Sequence, residues 1–377
     1  MTISIFNKEN TEWMTGGSPN LFLGQAPALY DSINLKYPNI FKLYKQQVSQ
    51  RWVETEFNHE QSRLDMLSCP RNIYEIMLIN LSFQWELDSV ASRAITPLFA
   101  PFVTNSELWA ALNENQNMEI IHALSYSDIV RYCVPRPQEV FQLVMKNDQV
   151  LGRAEAVVKA FNKLSRAGAE YKLGYRKNDQ DTYNVVFMGM FALYCLERIQ
   201  FMSSFPATFS LGEQGYFQSI CKEIQKIMID ELFVHAALDK TVLEIEMQTE
   251  RGQIALKQMR NELTAIADSV VDAELTFAPY LLGEGRSVVG LTVPLLHDNV
   301  FYEAQEPYDL LGLDFKYPRI EKRPLPWMEN WIDIDKTQNA MQEADGNNYA
   351  LNRIYDDLGD RILPFDEPVT NLVGVYP

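Results

Sequence analysis

The sequence predicts an all-α protein, a bundle of long helices, and three observations predict it. From about residue 29 to about residue 270, apolar positions recur with a helical period, and few stretches alternate as strands do. Prolines fall between the periodic stretches, at Pro70, Pro97, Pro101, Pro135, Pro137 and Pro206, where a missing N–H costs least. The stretches are also too long and too apolar to be surface helices, so they must pack against one another.

In chain order, residues 1–28 read as a polar N-terminal arm containing glycine and proline, and residues 29–335 as the helical domain. Residues 105–133 begin with cap-type side chains and end just before Pro135, which predicts one helix. Residues 182–205 predict a second, stopped by Pro206, and residues 214–246 a third. Residues 336–377 lose the apolar period and carry Gly346, Asn347, Gly359, Pro364, Asp366, Glu367 and Pro368. That acidic end reads either as a flexible docking tail or as a frayed terminus without a role.

Composition excludes some functions. The chain has 377 residues, 47% of them hydrophobic and 22% charged, enough for a large core in one or two domains. A net charge of -17 repels nucleic acid and anionic lipid, so neither is expected as a partner. No N-terminal signal peptide is expected, because Lys8, Glu9 and Glu12 fall where its apolar core would be. The most apolar run, residues 185–196, is too short to span a bilayer. Cys69, Cys133, Cys195 and Cys221 form no CxxC pair and read as packed, reduced thiols of a cytoplasmic protein. There is no Walker loop, and Gly283, Gly285 and Gly290 lack dinucleotide-binding spacing.

The chemistry gathers around two of the four histidines, His122 and His235; the others are His59 and His297. Glu119 stands three residues before His122 and Glu231 four before His235, so each pair shares a helix face. Asp88 and Glu197 sit at the ends of strongly apolar runs, where a carboxylate is costly unless a cation compensates it. The intervals from Asp88 to Glu119 and from Glu197 to Glu231 each fit half a helix, a turn and half a returning helix. The longer gap from Glu119 to Glu197 leaves room for a crossover. Two facing helix hairpins would then bring four carboxylates and two imidazoles to mid-height, the plan of ferritin-like dinuclear metal bundles. Hard oxygen ligands of this kind suit iron or manganese. A single Glu-x-x-His would mean little; two pairs and two isolated acids in this order are far harder to dismiss.

Around these residues the sequence resembles the small (β) subunit of class I ribonucleotide reductases. Glu119, His122 and Tyr126 follow that family's Glu-x-x-His-x-x-x-Tyr pattern, and Glu197, Phe201 and Phe205 its Glu-x-x-x-Phe-x-x-x-Phe stretch. Asp88 looks like the first ligand, Asp230 and Glu231 like the acid pair of the fourth metal helix, and Pro324, Leu325, Pro326 and Trp327 like a segment after the bundle. The resemblance implies two metal ions per chain, iron or else manganese or a mixed pair, held by Asp88, Glu119, His122, Glu197, Glu231 and His235. It implies that O2 and these metals oxidise Tyr126 to a radical sheltered by Phe201, Phe205 and Ile227. Trp52, Asp230 and His122 would link the metals to the interface, with Tyr349 and Glu343 of the tail continuing the path. The partner implied is the large (α) subunit, docked through the tail, and the small subunit itself is implied to be a homodimer. Competing readings are a desaturase- or monooxygenase-type oxidase and a metal-storage relative.

Two residues depart from the family pattern. Three residues, not two, separate Glu231 from His235, an insertion that either forms a π-bulge or shifts the ligand geometry. Ile229 stands where many relatives have arginine before the aspartate.

Overall fold

A computed structural model describes residues 6–12, 14, 19–146, 153 and 155–333. Among these residues there is no β-strand, only isolated bridges between Phe22 and Val103 and between Val288 and Leu291. The helices are α1 (Pro38–Ser49), α2 (Glu60–Ser68), α3 (Arg71–Phe99), α4 (Ser106–Cys133), α5 (Pro137–Lys146), α6 (Glu155–Lys172) and α7 (Gln180–Ile199). There follow α8 (Ser204–Glu213), α9 (Gln218–Asp230), a π-turn (Glu231–His235), α10 (Ala236–Met247), α11 (Glu250–Leu281), α12 (Val293–Leu311) and α13 (Met328–Ile332). A short 3-10 turn, Glu54–Glu56, leads from α1 toward α2.

Local chemistry sets many of the boundaries. Asn105 caps α4 by accepting from the Leu108 N–H at 2.8 Å, and Asp179 caps α7 by accepting from Thr182 at 3.0 Å. Thr249 does the same for α11, taking the Gly252 N–H at 3.0 Å. Each cap satisfies an N–H that the first helical turn leaves without a partner. Gly312 ends α12 in the left-handed region at φ 61, where a side chain would be strained.

Three expected boundaries differ. Pro97 lies inside α3, in its last turn, rather than between helices. Pro206 does not stop the second helix: α7 already ends at Ile199, and Pro206 sits in the first turn of α8, where no intrahelical donor is needed. The third helix begins at Gln218, not at residue 214, because Phe217 adopts φ 55 while its N–H is taken by Asp65 Oδ2 at 2.8 Å.

The principal packing pairs are α3 on α4 and α7 on α11, with α1 across α4 and α12 across α11 and α7. Helix α7 is apolar on all sides and buried almost throughout, so it forms the centre of the bundle. Leu21, Phe22 and Leu23 of the N-terminal region are buried in the same core.

Candidate metal centre

Four helical segments each deliver acids to one buried locus. Asp88 comes from α3, Glu119 and His122 from α4, Glu197 from α7, and Glu231 and His235 from the two ends of the π-turn. None of the six is more than 1% exposed. His122 Nδ1 lies 3.0 Å from Glu231 Oε1, 3.7 Å from Glu119 Oε2 and 3.9 Å from Asp88 Oδ2. His235 Nδ1 lies 3.0 Å from Glu119 Oε1 and 3.2 Å from Glu231 Oε2.

The donor atoms fall into two sets, each within 4.8 Å: Asp88, Glu119, His122 and Glu231, and Glu119, Glu197, Glu231 and His235. Glu119 and Glu231 belong to both, so each can bridge two adjacent ions. Both oxygens of Asp88 and of Glu197 lack a hydrogen-bond partner among the described residues. Buried oxygens left unpaired in this way need a cation or a proton. The residues present therefore fit a dinuclear site.

The electrostatics agree. Burial pushes Asp88 well above the carboxylate range, reinforced by the charges of Glu119 and Glu231. Burial raises Glu197 likewise, with Glu231 adding to it. Glu231 is instead held below its usual range, since Glu197 and the His235 imidazole outweigh its burial. His235 rises to about 10 despite burial, mainly through Glu231 and Glu119. For Asp88, Glu197 and His235 the shifts favour the protonated form, so a cation binding there would displace protons.

The π-turn resolves the odd spacing. Its extra residue is taken up within Glu231–His235, so both ends still face the cluster.

Around the cluster the structure joins further residues singled out in the sequence. Asp230 Oδ2 accepts the Trp52 Nε1 hydrogen at 2.7 Å and lies 3.2 Å from His122 Nε2. The Trp52 and His122 rings stack at 5.9 Å. Asp230 thus orients the imidazole so that Nδ1 faces the acids. Tyr126 is fully buried, its hydroxyl has no hydrogen-bond partner among the described residues, and burial followed by Asp88 and Glu231 raises its phenol well above the usual range. Phe201 and Phe205 stack at 5.1 Å, and they and Ile227 are buried. Glu343 and Tyr349 lie outside the described residues.

Two neighbours were not singled out in the sequence. Asp239, one turn after His235, is fully buried with both oxygens unpartnered among the described residues. Lys226, one turn before Asp230, places Nζ 5.9 Å from the Trp52 ring centroid. Both stand four residues from a recognised site residue, and that spacing was the available signal.

The comparisons with known proteins point one way. The family model described as "Ribonucleotide reductase, small chain" matches residues 30–324. The ribonucleoside-diphosphate reductase subunit beta of Buchnera aphidicola subsp. Schizaphis graminum is 26% identical over 376 residues, covering 96% of this chain and 98% of that protein. Subunit beta of ribonucleoside-diphosphate reductase 1 from Escherichia coli O157:H7 is 26% identical, covering 89% of this chain and 92% of its own length. The ribonucleotide reductase R2 subunit from Clostridium botulinum superposes with a TM-score of 0.73 at 19% identity, over 89% of this chain and 99% of that one. The dimanganese(II)-NrdF of Streptococcus sanguinis gives 0.65 at 18% identity, over 81% of this chain and 100% of its own.

Proposed function

Because the chain belongs to the ribonucleotide reductase small-chain family, we propose that its ferritin-like bundle is the radical-generating β subunit of a ribonucleoside-diphosphate reductase. The observation that carries this reading is the pair of donor sets sharing Glu119 and Glu231, with the buried Tyr126 one turn beyond His122. Family membership disfavours the desaturase, monooxygenase and storage readings.

Asp88, Glu119, His122, Glu197, Glu231 and His235 would hold two ions, iron in our reading, with manganese or a mixed pair as the other occupants. When bound, such a pair supplies one-electron oxidation driven by O2. Tyr126 is the residue that gives up the electron and holds the resulting radical. The apolar side chains of Phe201, Phe205 and Ile227 keep water from it. Trp52, Asp230 and His122 form a connected path from the cluster toward the surface, supported by the 2.7 Å and 3.2 Å contacts through Asp230. Glu343 and Tyr349 extend that path to the large subunit, where the ribonucleotide is reduced.

A homodimer is supported by α4, which exposes Trp109, Ile120 and Leu124 along one stripe. The described cysteines are all free, which suits the reducing cytoplasm.

The test is electron paramagnetic resonance on protein given ferrous iron and O2, beside Tyr126→Phe, with metal counted per chain. A tyrosyl signal absent from the variant, at about two metals per chain as a dinuclear site requires, is the expected result. Two metals without a signal would remove the tyrosyl radical from the reading, and no metal would remove the site.

A further inference from the structure

The break between α7 and α8, residues 200–203, follows the candidate ligand Glu197 by one turn and is buried throughout. A buried helix end leaves backbone groups without intrahelical partners, and here three distant side chains meet them. Gln200 O accepts from Arg153 Nη2 at 3.0 Å, the Ser203 N–H donates to Glu274 Oε2 at 2.9 Å, and Met202 O accepts from Asn299 Nδ2 at 3.0 Å. Gln200 Nε2 donates in turn to the Arg153 carbonyl at 2.6 Å. Arg153 Nη2 also pairs with Glu274 Oε1, so the two charged side chains form one clamp across the break.

The clamp sits in an apolar wall. The guanidinium carbon of Arg153 lies 3.2 Å from the ring centroid of Phe83 and 3.6 Å from that of Phe277. Arg153 is 3% exposed and Glu274 is fully buried. Burial works against both charges, lowering Arg153 to about 10 and raising Glu274, while each partner opposes the other's shift. Stability alone does not call for such a pair, because well-packed apolar side chains hold a fold as well. What they lack is a planar fork that can tie a backbone carbonyl and a carboxylate together. Glu197 is the side chain that needs this. Both its oxygens lack a hydrogen-bond partner among the described residues, so its aim depends on where the last turn of α7 stops. Gln200, which Arg153 holds, is the residue that caps that turn.

We propose that Arg153 and Glu274 are positioning residues for Glu197, holding the α7–α8 break so that its carboxylate meets the donor set of Glu119, Glu231 and His235. This rests on the dinuclear-site reading above. The other donor set takes Asp88 and His122 in place of Glu197 and His235, so it should feel the clamp less. Neither Arg153 nor Glu274 ligates an ion; both act through the backbone of residues 200–203.

The test is manganese(II) titration of the full chain, with free ion counted by electron paramagnetic resonance. It compares the parent with Glu197→Ala, with Arg153→Lys, and with Arg153→Met and Glu274→Met combined. The double variant removes both charges together, so neither is left buried alone. Glu197→Ala removes the ligand itself and marks the binding step that depends on it. In the double variant that step should weaken at least about tenfold, as loss of a ligand's supporting contacts does, while the other step stays within about threefold. Arg153→Lys, which keeps the charge but not the fork, should weaken the same step by a smaller factor. Equal weakening of both steps, or no weakening of either, in variants shown by thermal unfolding to be folded, would overturn the positioning role and leave the dinuclear reading standing. If the double variant does not fold, Arg153→Lys decides between the same outcomes. A parent that binds no manganese would overturn the dinuclear reading, and the positioning role with it.

Discussion

Asp88 and Glu197 are held above the usual carboxylate range, chiefly by burial, and His235 rises to about 10, so all three resist losing the protons that ligation displaces. The sign follows from the shifts. Asp88 and Glu197 are raised, so they ionise only above the usual carboxylate range, and His235 near 10 is a cation at pH 7. All three must give up protons to ligate, so metal binding should release protons and tighten as pH rises. Calorimetry in buffers of different ionisation enthalpy, at pH 6 and 8, measures both effects. Affinity that is flat across this range, with no proton release, would contradict the arrangement. Which of these residues were legible followed from their company. Asp88 and Glu197 stood out as acids closing apolar runs. Asp239 did not, since the polar Lys240 and Thr241 follow it directly. Asp230 was visible only through its likeness to a known motif, because its role is to orient a neighbour and leaves no periodic trace.

At the scale of elements, the π-turn is the feature most open to test. Deleting Phe233 would restore a two-residue spacing between Glu231 and the histidine, and the wide turn can close to an ordinary α-turn that spans nearly the same rotation. Leu238, Asp239, Val242 and Leu243, all buried, would then keep their places. The deletion should cost less than the roughly 4 kcal/mol that marks core disruption and leave metal binding in place. Thermal unfolding and metal analysis read this out, and an unfolded or metal-free variant would show that the wide turn itself is required. The sequence raised the π-bulge as one of two outcomes but could not choose between them, because the choice depends on what packs against Leu238 and Val242. Helix identities were legible from apolar period and caps, as with Asn105. Boundaries were less so: Phe217 takes a left-handed conformation because of Asp65, a contact far away in sequence, and Pro206 is tolerated because of where α8 happens to start.

At the scale of the whole molecule, the outer stripe of α4 is the face on which the proposed dimer can be tested. Leu124 is 47% exposed and Ile120 45%, and both lie on the face away from the core. A double substitution, Ile120→Glu with Leu124→Glu, should convert a dimer to a monomer by placing like charges opposite one another across the two-fold axis. Light scattering across a concentration series checks this; a parent that is already monomeric would remove the dimer from the reading. The bundle itself was readable from periodicity alone, whereas the outward apolar residues looked in the sequence like any other core positions.

The burial of Asp88, Glu119, His122, Glu197, Glu231 and His235, none more than 1% exposed, has a consequence for how the proposed centre would be supplied with metal. Ions would reach these side chains when the helices part, so their traffic should follow the breathing of the bundle. At low supply, loading should keep pace with the ions offered. At high supply it should reach a ceiling set by how often α3, α4, α7 and the π-turn part. Once an ion is inside, the same rarity of opening would hold it long after the surrounding solution has been depleted.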